Sequence, residues 1–141
     1  MASRDVLVDT SGLYALIDRK DSHHAAARVT TEGLVRAGRT LVVTDLVVSE
    51  VATLAKVRSG AQAALRVLDL VEQSRAIRLE RIDADRFDAT RAYFRRHIDH
   101  GYSFTDCSSF VLMRELHILE ALTTDVHFVE AGFEALLARR Q

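Results

Sequence analysis

The stretch Val6-Leu7-Val8-Asp9-Thr10-Ser11 decides how this chain is read. It is a short apolar run rich in β-branched residues, closed by an acid and two hydroxyls. Such a run fits a strand buried on both faces, as a covered parallel sheet requires. An acid at its end lands on the carboxyl edge of the sheet, where open α/β folds bind ligands. Taken alone, Asp9 or Ser11 reads more economically as the N-cap of the next helix. Whether other acids arrive at the same edge decides between the two readings.

Outward from this stretch, strands alternate with helices. A short helix from Ser11 carries Leu13, Leu16 and Ile17 on one face, and Asp21 or Ser22 can cap a second helix running to about Ala37, before Gly38. Leu41-Val42-Val43 is a second strand. The helix after it reads Leu46, Val47, Val48, Val51, Leu54, Ala55, Val57, apolar nearly all round, and is expected to be buried. Beyond Gly60, Ala64, Leu68 and Val71 form one stripe of a further helix. Ile77 to Ile82 alternates as a third strand, and Asp83 caps a helix with Phe87, Thr90, Phe94 and Ile98 facing inward. Gly101 breaks it, and Ser103 or Thr105 opens another helix through Leu116. Leu119 to Thr123 reads as a fourth strand, Thr124 or Asp125 starts a helical turn, and Phe133 to Leu137 reads as a fifth strand. Arg139-Arg140-Gln141 reads as a frayed tail. The pattern predicts an α/β fold: a parallel sheet with right-handed crossovers, covered by helices on both faces. Each of the first three crossovers holds two helices.

Composition sets further bounds. The 141 residues suit one domain over positions 1–141, and 48% hydrophobic content excludes a disordered chain. Lys+Arg 19 against Asp+Glu 20 leaves no global basic field, so any contact with nucleic acid needs a local groove or bound metal ions. The one cysteine, Cys107, rules out an internal disulfide and fits a reducing compartment. No signal-peptide pattern and no apolar run of membrane-spanning length is visible. These features predict a soluble, cytoplasmic protein with no membrane role.

Four acids share the predicted carboxyl edge. Asp9 ends strand one, Asp125 follows strand four, Asp106 lies in the first turn of the helix leading to strand four, and Glu50 lies early in the helix after strand two. Asp9, Asp106 and Asp125 each have a structural reading, since an acid at a helix start meets free N–H groups and the positive end of the dipole. Glu50, between Val48 and Val51, falls in a helix expected to be buried, where a carboxylate is costly without a partner; an exposed slot on the helix, or a pair with Lys56 or an Arg, is its structural reading. Four carboxylates at one edge repel one another unless cations offset their charge. Oxygen ligands suit Mg²⁺ or Mn²⁺ and are the wrong set for a structural Zn²⁺. They fit metal-assisted phosphodiester hydrolysis.

At this point Val8-Asp9-Thr10-Ser11, Ser49-Glu50, Ser103-Phe104-Thr105-Asp106 and Thr124-Asp125-Val126-His127-Phe128 resemble the signatures of PIN-domain ribonucleases, and of the bacterial VapC toxins most closely. Asp21-Ser22-His23-His24 before Ala25-Ala26-Ala27, and the ending Ala131-Gly132-Phe133, resemble the same group. The resemblance implies a three-layer α/β/α fold with a five-stranded parallel sheet in order 3-2-1-4-5. It implies an endoribonuclease using Mg²⁺, with Mn²⁺ able to substitute, whose catalytic and metal-holding residues are Asp9, Glu50, Asp106 and Asp125. Thr10 or Ser11 matches a hydroxyl near the metal, and Thr105 the hydroxyl before the third acid. The implied partners are an RNA substrate, a cognate VapB-type antitoxin and a second copy of the chain in a homodimer. A PIN nuclease of RNA processing, or a catalytically silent PIN scaffold, is the alternative. The chain departs from the family in lacking the frequent Pro before the helix of Glu50; Thr44-Asp45 stands there.

Other readings are weaker. A phosphatase with an Asp nucleophile would want a second Asp where Ser11 stands. A phospho-accepting receiver domain would want an acid adjacent to Asp9. His97 and His100 straddle a helix end and form no convincing ligand pair; His127 follows Asp125 closely enough to reach the rim of the site, but packing beside Phe128 is the favoured reading. Lys56, Arg58, Arg95 and Arg96 are candidate RNA-phosphate contacts.

Overall fold

The computed structural model describes residues 1–138. Its elements run β1 (Val6–Val8), α1 (Thr10–Ile17), α2 (His24–Arg36), β2 (Leu41–Thr44), α3 (Asp45–Ser59), α4 (Ala61–Gln73), β3 (Ile77–Glu80), α5 (Ala84–Arg96), α6 (Phe104–Leu116), β4 (Glu120–Leu122), α7 (Val126–Glu130) and β5 (Glu134–Ala135). All strand pairs are parallel and the sheet order is β3-β2-β1-β4-β5. The expected fold class and strand order are therefore present, with two helices in each of the first three crossovers.

The strands alternate across the sheet. Val6, Val8, Leu41 and Val43 face the layer holding α1, α2, α3 and α4. Leu7, Val42 and Ala121 face the layer of α5, α6 and α7, through Tyr93, Phe110 and Phe128. β1 is central and wholly buried, which is why it carries no polar residue before Asp9. Because the strands are parallel, all end on one edge, and Asp9, Thr44, Asp83 and Asp125 cap the helices that follow β1 to β4. The edge is braced between elements: Asp45 Oδ1 accepts the N–H of Ile82, tying the start of α3 to the chain beyond β3.

Several expected faces are rotated. In α3 only Val47, Val51 and Ala55 are buried, and Val57 is 79% exposed. The helix packs along one stripe, so its run of β-branched residues overstates its burial. In α4 the buried stripe is Ala63 and Val67 rather than Ala64 and Leu68. In α5 it is Thr90 and Tyr93, while Phe87 and Ile98 are exposed. One residue corresponds to about 100° of rotation, and only the packing partner sets that angle. The third, fourth and fifth strands are each shorter than expected, at Ile77–Glu80, Glu120–Leu122 and Glu134–Ala135. The expected tail Arg139 to Gln141 lies outside the described residues. No helix among the described residues is long and apolar enough to cross a membrane.

Candidate active site

A cleft of about 450 Å³ opens at the carboxyl edge, and its lining includes Asp9, Thr10, Ser11, Glu50, Asp106 and Asp125. Four elements converge there: the end of β1, α3, the first turn of α6, and the turn from β4 into α7.

Asp9 is the deepest of the acids, 4% exposed. Its Oδ1 accepts the N–H of Gly12 at 2.9 Å and the hydroxyl of Ser11 at 2.8 Å. Its Oδ2 accepts the hydroxyl of Thr123 at 2.7 Å. Three of roughly four acceptor positions are thus used, leaving one on Oδ2 for a ligand. Burial pushes the Asp9 carboxyl from 3.8 up to about 6, against these three hydrogen bonds; the Asp106 charge adds to the rise. Asp9 therefore has both roles weighed from the sequence: it caps α1 and faces the cleft.

Asp106 and Asp125 lie closer together. Ser103 and Asp106 form a capping box at the start of α6, in which Asp106 Oδ2 accepts the Ser103 N–H at 3.1 Å. Asp125 Oδ1 accepts the N–H of His127 at 2.9 Å. Burial, and then the Asp125 charge, raise the Asp106 carboxyl above its usual range. Asp106 Oδ1 and Asp125 Oδ2 have no hydrogen-bond partner among the described residues.

His127 enters this pair. Its Nδ1 is 3.5 Å from Asp106 Oδ2 and 3.4 Å from Asp125 Oδ1, and is buried without a hydrogen bond among the described residues. Asp106, Asp125 and His127 each offer one ligand atom, all within 4.8 Å of one another. The ring is seated against Gly101, where a Cβ would lie 3.1 Å from Nε2, and edge-on to Tyr102 at 5.5 Å. This corrects the expectation that His127 packs beside Phe128; Phe128 turns into the core against Phe110. An orphaned imidazole nitrogen facing two carboxylates fits a divalent cation.

Glu50 is a further correction. It lines the cleft but is exposed, off the buried stripe of α3. Glu50→Ala is accordingly expected to change metal-free stability by less than about 0.5 kcal/mol. Urea titration checks this, and a loss above about 2 kcal/mol would make Glu50 a structural partner instead.

The hydroxyls divide. Ser11 Oγ donates to Asp9 and accepts the Thr124 N–H at 3.0 Å, stitching β1 to the β4–α7 turn. Thr10 lines the cleft, and Thr105 does not. Thr123, not foreseen from the sequence, is buried, bonds Asp9 and accepts the Asp125 N–H at 3.0 Å. Its signal was present in Thr123-Thr124-Asp125, the second place where hydroxyls adjoin an acid at a strand end. Of the basic candidates, Arg58 reaches the cleft, its guanidinium 5.1 Å from the Tyr14 ring centre. Lys56, Arg95 and Arg96 do not line it. Cys107 is buried, and desolvation first, then Asp106, pushes its thiol up to about 11, which disfavours a thiolate nucleophile.

The PIN domain family model matches residues 6–134. The "23S rRNA-specific endonuclease VapC20" of Mycobacterium tuberculosis is 33% identical over 129 residues, 91% of this chain and 95% of that protein. The crystal structure of M. tuberculosis VapC20, described as a sarcin-ricin loop cleaving toxin, superposes with a TM-score of 0.81 at 30% identity, covering 92% of this chain and 96% of that one. FitAcB from Neisseria gonorrhoeae matches at a TM-score of 0.59 and 15% identity, over 92% of this chain and 94% of that one, a likeness of fold.

Proposed function

The chain belongs to the PIN-domain family of nucleases, and from that premise we propose that it is a divalent-metal-dependent endoribonuclease toxin of the VapC type, inhibited by a VapB-type antitoxin. The observation that carries this reading is the meeting of Asp9, Glu50, Asp106 and Asp125 at one cleft, with the unbonded His127 Nδ1 between Asp106 and Asp125. The relative's 23S rRNA substrate makes structured ribosomal RNA the first substrate class to try. A homodimer acting in the cytoplasm belongs to the same proposal.

Asp106, Asp125 and His127 would hold Mg²⁺ or Mn²⁺, with Asp9 and Glu50 contributing directly or through water. When bound, such ions supply an activated water and stabilise the leaving oxygen of the phosphodiester. The chain's own residues do the positioning. Ser11, Gly12 and Thr123 donate to Asp9 and favour its ionised form against the cost of burial. The Ser103 capping box fixes the Asp106 carboxylate through Oδ2, and Oδ1 has no hydrogen-bond partner among the described residues. Thr10 lies where it can orient a water or a phosphate oxygen.

The test uses protein purified free of any antitoxin. Mixed RNA with Mn²⁺ should be cut to products carrying a 5′-phosphate, and a chelator should stop the reaction; intact RNA in both conditions would refute the assignment. Metal should also raise the unfolding temperature by mass action. Mn²⁺ should raise it more than Mg²⁺ at equal concentration, because an imidazole nitrogen suits Mn²⁺ better, and His127→Ala should narrow that gap.

A further inference from the structure

A second cleft, of about 670 Å³, adjoins the first and shares Tyr14, Asp21 and Arg58 with it. Arg19, Lys20 and Arg66 are among its other polar lining residues, with Asp18 and Ser59. These three cations come from two separate places, the turn after α1 and the middle of α4, so sequence spacing gave no sign of their meeting. Two acids, Asp18 and Asp21, also line the cleft, so its four cations outnumber its anions by two. Asp18 accepts from the Tyr14 hydroxyl and the Lys20 N–H, and Asp21 accepts from the His23 N–H. Elsewhere Arg39, Arg78 and Arg86 are each paired with carboxylates. Arg19, Lys20, Arg58 and Arg66 form no ion pair among the described residues, and all four are exposed.

The acidic cleft by itself repels a polyanion, and a net charge of -1 supplies no general attraction. Metal ions in the acidic cleft can take the scissile phosphate, and the flanking phosphates then need unpaired cations beside that cleft. These four meet the requirement, and Arg58, lying across the Tyr14 ring, stands on the boundary between the two clefts. We propose that the second cleft is a phosphate track. An RNA strand with its scissile group at Asp106 and Asp125 runs over Arg58, and its flanking phosphates are held by Arg19, Lys20 and Arg66. This rests on the nuclease reading for the direction of the strand.

The test compares Arg19→Gln/Lys20→Gln/Arg66→Gln with Arg95→Gln/Arg96→Gln, both in an Asp9→Asn background. The probe is a fluorescently labelled single-stranded RNA titrated with Mn²⁺ across a salt series. All five basic side chains are exposed and none forms an ion pair among the described residues, so both variants should keep the parent's unfolding temperature. The triple variant should bind on the order of tenfold more weakly, with a log–log salt slope shallower by about 2, roughly 0.7 for each of the phosphates released. The Arg95/Arg96 pair should match the parent. An unchanged affinity and slope in the triple variant overturns the track. So does unchanged RNA binding with lost affinity for a polyglutamate peptide, which assigns the cleft to an acidic protein segment. The nuclease reading is scored separately, by cleavage with the wild-type chain. Cleavage with an unchanged slope sinks only the track, and a lost slope without cleavage sinks only the nuclease reading.

Discussion

Asp9→Asn is expected to raise the unfolding temperature of the metal-free protein at pH 7 by roughly 5 °C, and to abolish RNA cleavage. The buried carboxyl titrates near 6 in the folded chain against 3.8 as the ordinary value. Between those two values the folded state binds the proton and the unfolded state does not, so stability falls as pH rises through the window. The contribution is fully present below 3.8 and lost above about 6. At neutral pH the ionised group costs up to about 3 kcal/mol. An asparagine amide removes that charge and can keep the network. Its carbonyl accepts from Gly12 and Ser11, and its NH₂ donates to the Thr123 hydroxyl, which can turn to Ser11 Oγ at 3.2 Å. Thermal scans from pH 4 to 7 in chelator check this. The wild type should lose stability toward neutrality faster than the variant, with the raised Asp106 carboxyl adding a similar slope to both proteins. With Mn²⁺ the order should reverse, since the wild type gains a stronger ligand. A lower midpoint for the variant at pH 7 in chelator would mean that the Asp9 charge stabilises the fold.

Gly12→Ala is expected to cost more than about 4 kcal/mol, among the largest losses that any single substitution here should produce. Gly12 lies in the first turn of α1, where the helix crosses the end of β4. A Cβ there would sit 2.0 Å from the Leu122 carbonyl oxygen and 2.8 Å from its carbon. These are backbone atoms of a strand hydrogen-bonded on both sides, so nothing local can yield. Relief requires α1 to lift from the sheet, which breaks the Gly12 N–H bond to Asp9 and the Asp9 N–H bond to the Leu122 carbonyl. The site and the fold therefore fail together. Gly33→Ala is the control. It sits inside α2 with no atom of the described residues within 4 Å of its Cβ position, and alanine should stabilise it by up to about 1 kcal/mol. Urea denaturation of the pair separates the two cases, and a Gly12→Ala protein within 1 kcal/mol of wild type would refute the close approach.

Much of this site was legible because acids at strand ends have few places to go. Val6-Leu7-Val8 demands a doubly covered strand, and a parallel sheet carries Asp9 and Asp125 to one edge whatever the details. Asp106 follows from the helix that leads into β4. Glu50 was read as buried because Val47, Val48 and Val51 surround it in the chain; rotation about the helix axis puts it outside. His127 lies at the rim of the site, the less favoured of its two sequence readings, while Phe128 turns into the core. The difference is the two-residue step from the Asp125 cap, which points Nδ1 back at the acid.

Local sequence determined the strands, the parallel order of elements and the caps of the helices that follow β1 to β4, since these depend on hydrophobic period and on hydroxyls and acids next to backbone N–H groups. At α2 the expected cap by Asp21 or Ser22 is absent, and His23 stands there without a side-chain cap bond. The resemblance carried by the same stretches determined the family. Tertiary structure alone decided which face each helix buried, that His127 Nδ1 lies between Asp106 and Asp125, and that Arg19, Lys20, Arg58 and Arg66 share a cleft. The step from Asp125 to His127 is local, but Asp106 meets them from another helix, and Arg19 and Lys20 meet Arg58 and Arg66 from another part of the chain. Their geometry is set by how rigid elements pack against one another, and no local spacing records it.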